Sequence, residues 1–195
     1  FIFHNDYKKQ LIKYTNEPDI NSVMKKAHNE YKKIIQDIPE FGENDTLLVN
    51  LVSGAQFAAI YKSLSIKPDI DIMTKIYHGT MNDNFITSKF AKKKLKAPFD
   101  KSNKEKNENQ ALKSQKGTNP YTWKWTYKLS PDGKSYSKVF SECGINKLFY
   151  NLGIQEITPA MCSYDYKMAE VAGTNFKRKY TLAGGGPFCD CNYKL

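Results

Sequence analysis

The residues of this chain best suited to chemistry crowd into its last third. Cys162 and Asp165 stand three apart in the segment PAMCSYDYKMAEVAG, a spacing that puts both side chains on one face of a helix. In a first helical turn Cys162 would also feel the dipole, which lowers a thiol pKa. Arg178 and Thr181 follow in NFKRKYTLA, then Gly184-Gly185-Gly186, then Cys189-Asp190-Cys191. A glycine triplet lets backbone N–H groups approach a small ligand closely. A nucleophile or base, a carboxylate clamp and backbone donors together make the inventory for hydrolysing a small polar substrate.

Arg178 stands out for a second reason. It is the sole arginine among thirty basic residues, the others all being lysine. A guanidinium survives such a bias best where a flat, two-pronged donor is needed, as for a carboxylate. An ordinary structural salt bridge is the plainer alternative. The other candidates have plain readings too. Cysteine is often a small buried hydrophobe, Asp165 reads also as a helix-surface charge, and glycine triplets make loose hairpin loops. Cys189 and Cys191 share one strand face and, with Cys143 and Cys162, raise structural zinc, yet C-x-C lacks the spacing of a zinc knuckle. No metal and no cofactor is expected. His4, His28 and His78 lie far away in sequence, so no Ser-His-Asp or Cys-His triad is readable.

These residues need elements to hold them. Thr158-Pro159 supplies an N-cap and an N1 proline, which predicts a helix running to Gly173. NFKRKYTLA and FCDCNY read as two strands joined by the glycine turn. Upstream, Tyr121 to Leu129 alternates aromatic and polar residues as a half-buried strand does. Pro131-Asp132-Gly133 turns it into SYSKVFSEC, and INKLFYNLG is a short helix ending at Gly153. In the first half, Ile20–Ile38 has apolar residues at helical spacing. Thr46 to about Leu64 is apolar nearly all round, capped by Asn44 or Asp45, and a third helix starts near Pro68-Asp69. The expected fold is α+β: N-terminal helices packed on a mainly C-terminal antiparallel sheet, with a further helix.

Composition bounds the remaining choices. The chain has 195 residues, 40% of them hydrophobic and 26% charged, enough for one domain over 1–195 to bury a core. No stretch approaches the roughly 20 apolar residues that span a bilayer. Net charge is +10, but Lys89 to Lys116 carries seven of those charges in a stretch with little apolar material. The segment at about 89–118 therefore reads as a solvated loop or frayed helix, not as a nucleic-acid face. No targeting segment is visible, so a cytoplasmic protein is expected, with no nucleic-acid or membrane partner. The oligomeric state is left open.

The stretch MCSYDYKMAEVAGTNFKRKYTLAGGGPFCDCNYK resembles the C-terminal signature of the L-2-amino-thiazoline-4-carboxylic acid hydrolase family. That signature runs C-x-x-D, a helix, an R-x-x-T-L-A-x-G-G strand and turn, then C-D-F and an aromatic. Cys162, Asp165, Arg178, Thr181, Leu182, Ala183, Gly185 or Gly186, Cys189 and Asp190 carry the match. IPEFGENDTLLVNLVSGAQFAAIYKSL is similar to the family's N-terminal helix pair, and the Trp-Lys-Trp strand leads to Cys143 as in the family. Cys191 departs from the pattern, standing where phenylalanine is expected. The resemblance implies a ring-opening hydrolysis of a small cyclic amidine acid to N-carbamoyl-L-cysteine. The chemistry of that reaction then casts Cys162 as nucleophile candidate, Asp165 as amidinium partner or general base and Asp190 as its support on the catalytic side, with Arg178, Thr181, Gly185 and Gly186 expected to bind substrate. Two other classes stay open, a non-catalytic small-ligand sensor and a polyanion binder using the lysine run.

Overall fold

The computed structural model describes residues 3–82, 93 and 95–195. Among them are seven α-helices: α1 (His4–Tyr14), α2 (Ile20–Gln36), α3 (Leu48–Ser63), α4 (Ile70–Asn82), α5 (Lys104–Gln115), α6 (Gly144–Asn151) and α7 (Thr158–Ala172). The four strands β1 (Lys124–Leu129), β2 (Ser135–Glu142), β3 (Asn175–Lys177) and β4 (Cys189–Lys194) form one antiparallel sheet in the order β1-β2-β4-β3. The fold is α+β.

The helical half forms as its apolar pattern requires. α2 is capped by Asp19, whose carboxylate accepts the Ser22 amide at 3.0 Å, and buries Val23, Met24, Ala27 and Ile34. α3 is apolar around its circumference, so it runs through the centre with Leu51 and every residue from Gly54 to Tyr61 buried. Its start differs from the sequence reading. Asp45 accepts the amides of Gly42 (2.8 Å) and Asn119 (3.0 Å), while Thr46 is tied to Thr122 and Trp123. The helix therefore begins past both candidate caps, at a left-handed Leu47 with φ 63°. α1 adds a helix the periodicity did not show, held through buried Tyr7, Gln10 and Leu11.

The lysine-rich segment is more than solvated chain. Positions 89–92 and 94 lie outside the described residues, but Leu95 and Phe99 are buried and α5 buries Asn107, Ala111 and Ser114. The end of α5 covers the outer edge of β1: Ser114 Oγ accepts the Trp125 N–H at 3.2 Å and Gln115 Nε2 donates to the Trp125 carbonyl at 2.8 Å. An edge strand left open invites pairing with another chain, and this helix end closes it. Lysines occupy the outer face because the inner one is spent on the sheet.

Two apolar cores result, and α7 belongs to both. Ala160 and Tyr164, toward its start, pack among the helices with Phe57, Tyr77 and Phe149. Ala169 and Ala172, toward its end, lie on the sheet with Tyr136, Cys189, Cys191 and Tyr193. Cys162 and Asp165 sit on the stretch that joins the two layers.

Candidate active site

The helix carrying these residues starts differently from its expected cap. A short 3-10 turn over Gln155–Ile157 feeds α7, so Thr158 is its first residue and its buried Oγ1 has no hydrogen-bond partner. Gly173, left-handed at φ 67°, ends the helix and lets the chain reverse into β3. β3 is only three residues long, shorter than the strand read from NFKRKYTLA. The cause is Asp190. Its carboxylate accepts the amides of Lys179 (3.0 Å) and Tyr180 (2.6 Å), drawing the chain out of the ladder after Lys177. Arg178 is thereby turned back toward α7.

There it meets the predicted partners. Arg178 Nη1 donates to Asp165 Oδ2 at 2.7 Å and Nη2 donates to the Cys162 carbonyl at 2.9 Å. The Arg178 side chain is 6% exposed, and its guanidinium lies over the rings of Tyr166 (5.5 Å) and Phe176 (5.4 Å). Burial works against its charge, but Asp165 and the nearby thiols outweigh burial and raise its pKa further. Arg178, Asp165 and Cys162 thus form one cluster between α7 and the C-terminal strands.

The other predicted residues build the frame of that cluster. Thr181 Oγ1 accepts the Gly184 amide at 3.0 Å, capping a 3-10 turn over Leu182–Gly184. Gly185 holds φ 77°, and a Cβ on Gly186 would lie 3.0 Å from the Thr181 carbonyl, so both glycines serve the turn. Burial of Asp190 is slight and opposed by the Tyr180 and Lys179 amides, which hold its carboxyl below the usual range. Asp190 fixes the hook that carries Arg178 rather than facing Asp165.

All four cysteines are free thiols, and Cys189 and Cys191 are buried beneath α7. Burial, then Cys143 and Asp165, push the Cys162 thiol far above its ordinary pKa. The expected dipole effect is absent because Cys162 lies beyond the first turn of α7. Burial likewise raises Cys143 to about 11 and Cys191 to about 12. The Leu182 amide reaches Cys189 Sγ at 3.2 Å. Among the described residues no group of three or more His, Cys, Asp or Glu side chains is gathered to hold a metal ion. Cys191 lies beside Arg178.

One pair escaped the sequence reading. His78 Nε2 on α4 lies 2.9 Å from Ser163 Oγ on α7, across 85 positions of chain. Tyr77 and Tyr164 flank the imidazole edge-on, and burial lowers its pKa. No local pattern marks His78, since only the packing of α4 on α7 makes the contact.

The sequence model of the L-2-amino-thiazoline-4-carboxylic acid hydrolase family matches residues 50–193. The chain belongs to that family. Comparison with curated proteins and with solved structures returns no match. The family match spans α3 through β4, including the Asp165–Arg178 cluster and every residue predicted for the site. No helix among the described residues is long and apolar enough to cross a membrane.

Proposed function

We propose that this chain hydrolyses L-2-amino-thiazoline-4-carboxylate, or a similar small cyclic amidine acid, to N-carbamoyl-L-cysteine. The observation that carries the reading is the part-buried pairing of the sole arginine with Asp165 on the helix turn bearing Cys162. The substrate is a zwitterion, with a carboxylate at one end and an amidinium at the other. An internal ion pair is a template for such a molecule. The carboxylate takes Arg178 and the amidinium takes Asp165, so two substrate pairs replace one internal pair without leaving a buried charge alone.

Water then adds at C2, the carbon flanked by both nitrogens and the sulfur. Asp165 receives the water proton, the C2–S bond breaks with its electron pair on sulfur, and the proton passes to the thiolate. Cys162 is held as a neutral thiol, so in this reading water is the nucleophile and Cys162 forms the wall of the site. Asp190, Thr181, Gly185 and Gly186 position Arg178. The reaction is read as cofactor-free, in the cytoplasm, and as the work of residues 1–195 acting as one unit.

The test is release of a new thiol from the thiazoline carboxylate by wild type and by Asp165→Asn, with and without chelator. Turnover by wild type and its loss in the folded variant are expected. A folded wild type that releases no thiol above the uncatalysed rate refutes the reading. The same burial of Arg178 and protonation of the thiols also favours a second reading, a ligand-binding domain without turnover. Calorimetric binding of the zwitterion with no product would establish it.

A further inference from the structure

α7 is gripped on two flanks at the same turn. On the sheet flank Arg178 holds the Cys162 carbonyl and the Asp165 carboxylate. On the α4 flank His78 meets Ser163 at 2.9 Å, and Tyr164 Oη donates to Asn82 Oδ1 at 3.2 Å. Residues 162 and 165 are thus tied to the C-terminal hook, and residues 163 and 164 between them to the last turns of α4. We infer that His78 is a positioning residue for the Asp165–Arg178 cluster, acting through Ser163 to hold this turn of α7 in register with Arg178.

The hydrogen-bond arithmetic sets the form of the imidazole. Ser163 has one hydroxyl proton, and it goes to the Ala160 carbonyl at 2.8 Å. The contact with His78 therefore uses the Ser163 lone pair, so Nε2 carries the proton and donates. A neutral ring already makes this bond, and a second proton on Nδ1 adds only charge. Among the described residues the groups that face the ring are Tyr77 on its own helix and Tyr164 and Lys167 on α7, none of them a carboxylate that could accept that charge. Lys167 pairs with Glu170 at 2.9 Å one turn on. Burial, then Lys167, disfavour the imidazolium, against some support from the Ala160 carbonyl. The linkage follows from that direction. Because the folded pKa lies below the unfolded value of about 6.5, the stabilisation is complete above that value and is lost as pH falls through the folded pKa. Acidification therefore leaves the Nε2 donor in place but sets an uncompensated charge beside Lys167 at the α4–α7 contact.

The inference takes the Asp165–Arg178 pair as the working site and so rests on the reading above, but its test needs no substrate. The single arginine supplies the probe, since the one Arg Nε–H resonance of this 195-residue chain is self-assigning. That resonance is followed from about pH 7.5 to 5, alongside the imidazole signals, in wild type, His78→Gln, His78→Ala and Ser163→Ala. Glutamine keeps an N–H donor without a titrating ring. In wild type the Arg178 signal should shift with the midpoint of His78, while amides away from α7 stay in place. His78→Gln should hold the neutral-pH position and lose that step. His78→Ala and Ser163→Ala should each speed exchange of the Arg178 Nε–H at neutral pH by about two- to tenfold, the equivalent of one hydrogen bond. No wild-type step at the His78 midpoint, or the full step persisting in His78→Gln, overturns the inference. Should His78→Ala fail to fold, the comparison of wild type with glutamine decides alone. Failure of the hydrolase reading is distinguishable, because absent thiol release leaves this response untouched.

Discussion

Replacing Arg178 by lysine keeps the charge and removes the fork. The guanidinium makes one bond to a carboxylate and one to a carbonyl, 2.7 and 2.9 Å long, and lies over two rings. A hydrogen bond from a charged donor contributes about 1.5–3 kcal/mol, and a cation over a ring about 0.5–1 kcal/mol where partly exposed. An ammonium can follow Asp165, which is 29% exposed and so screened in part, but it cannot also reach the Cys162 carbonyl in the same plane. The loss is then one charged hydrogen bond plus most of the ring contact, about 2–3 kcal/mol. For an m-value of about 2 kcal/mol/M, the urea midpoint should fall by about 1–1.5 M with the slope unchanged. Combining Arg178→Lys with Asp165→Asn should cost less than the two changes summed, since both remove the same pair. A lysine variant within about 0.5 kcal/mol of wild type would mean that the fork contributes nothing and that the cluster is only a surface charge pair.

Other perturbations test the frame. Gly144→Ala places a Cβ 1.8 Å from the Tyr121 carbonyl and 2.7 Å from the Trp123 ring, so thermal unfolding should show a loss above about 3 kcal/mol. Thr158→Val removes a buried hydroxyl that has no partner and should be neutral or stabilising by up to about 1 kcal/mol; a clear loss would reveal a hidden bond. Deleting Ser102–Ser114 uncovers the Trp125 edge of β1 and should destabilise and promote association, read by unfolding and by light scattering. With pKa values near 11 and 12, Cys143 and Cys191 should react with a thiol reagent at pH 8 far more slowly in the native protein than in urea. Equal native and unfolded rates would contradict their burial.

Several parts of the architecture were legible in one dimension because their causes are local. The aromatic alternation toward Leu129, the Pro131-Asp132-Gly133 turn and the glycine stop of α7 each depend on residues a few positions apart, and the structure has them in place, although the strand starts at Lys124 rather than Tyr121 and Thr122 is buried. The C-x-x-D spacing likewise put Cys162 and Asp165 on one flank, and the rarity of arginine singled out the partner it meets. Tertiary structure decided the rest, because it depends on groups far apart in sequence competing for the same bond. Asp45 was a fair helix cap until the Asn119 amide claimed it, and NFKRKYTLA was a fair strand until Asp190 took two of its amides. The lysine run looked solvated because its few inward residues matter only once the bare edge of β1 lies against them. The thiol of Cys162 followed the same rule: a helix dipole acts over one turn and Cys162 lies past it, whereas the burial that raises its pKa comes from strands and helices brought in from elsewhere in the chain. His78 shows the limit most plainly, since its partner Ser163 is 85 residues away and only the packing of one amphipathic helix on another brings them within 2.9 Å.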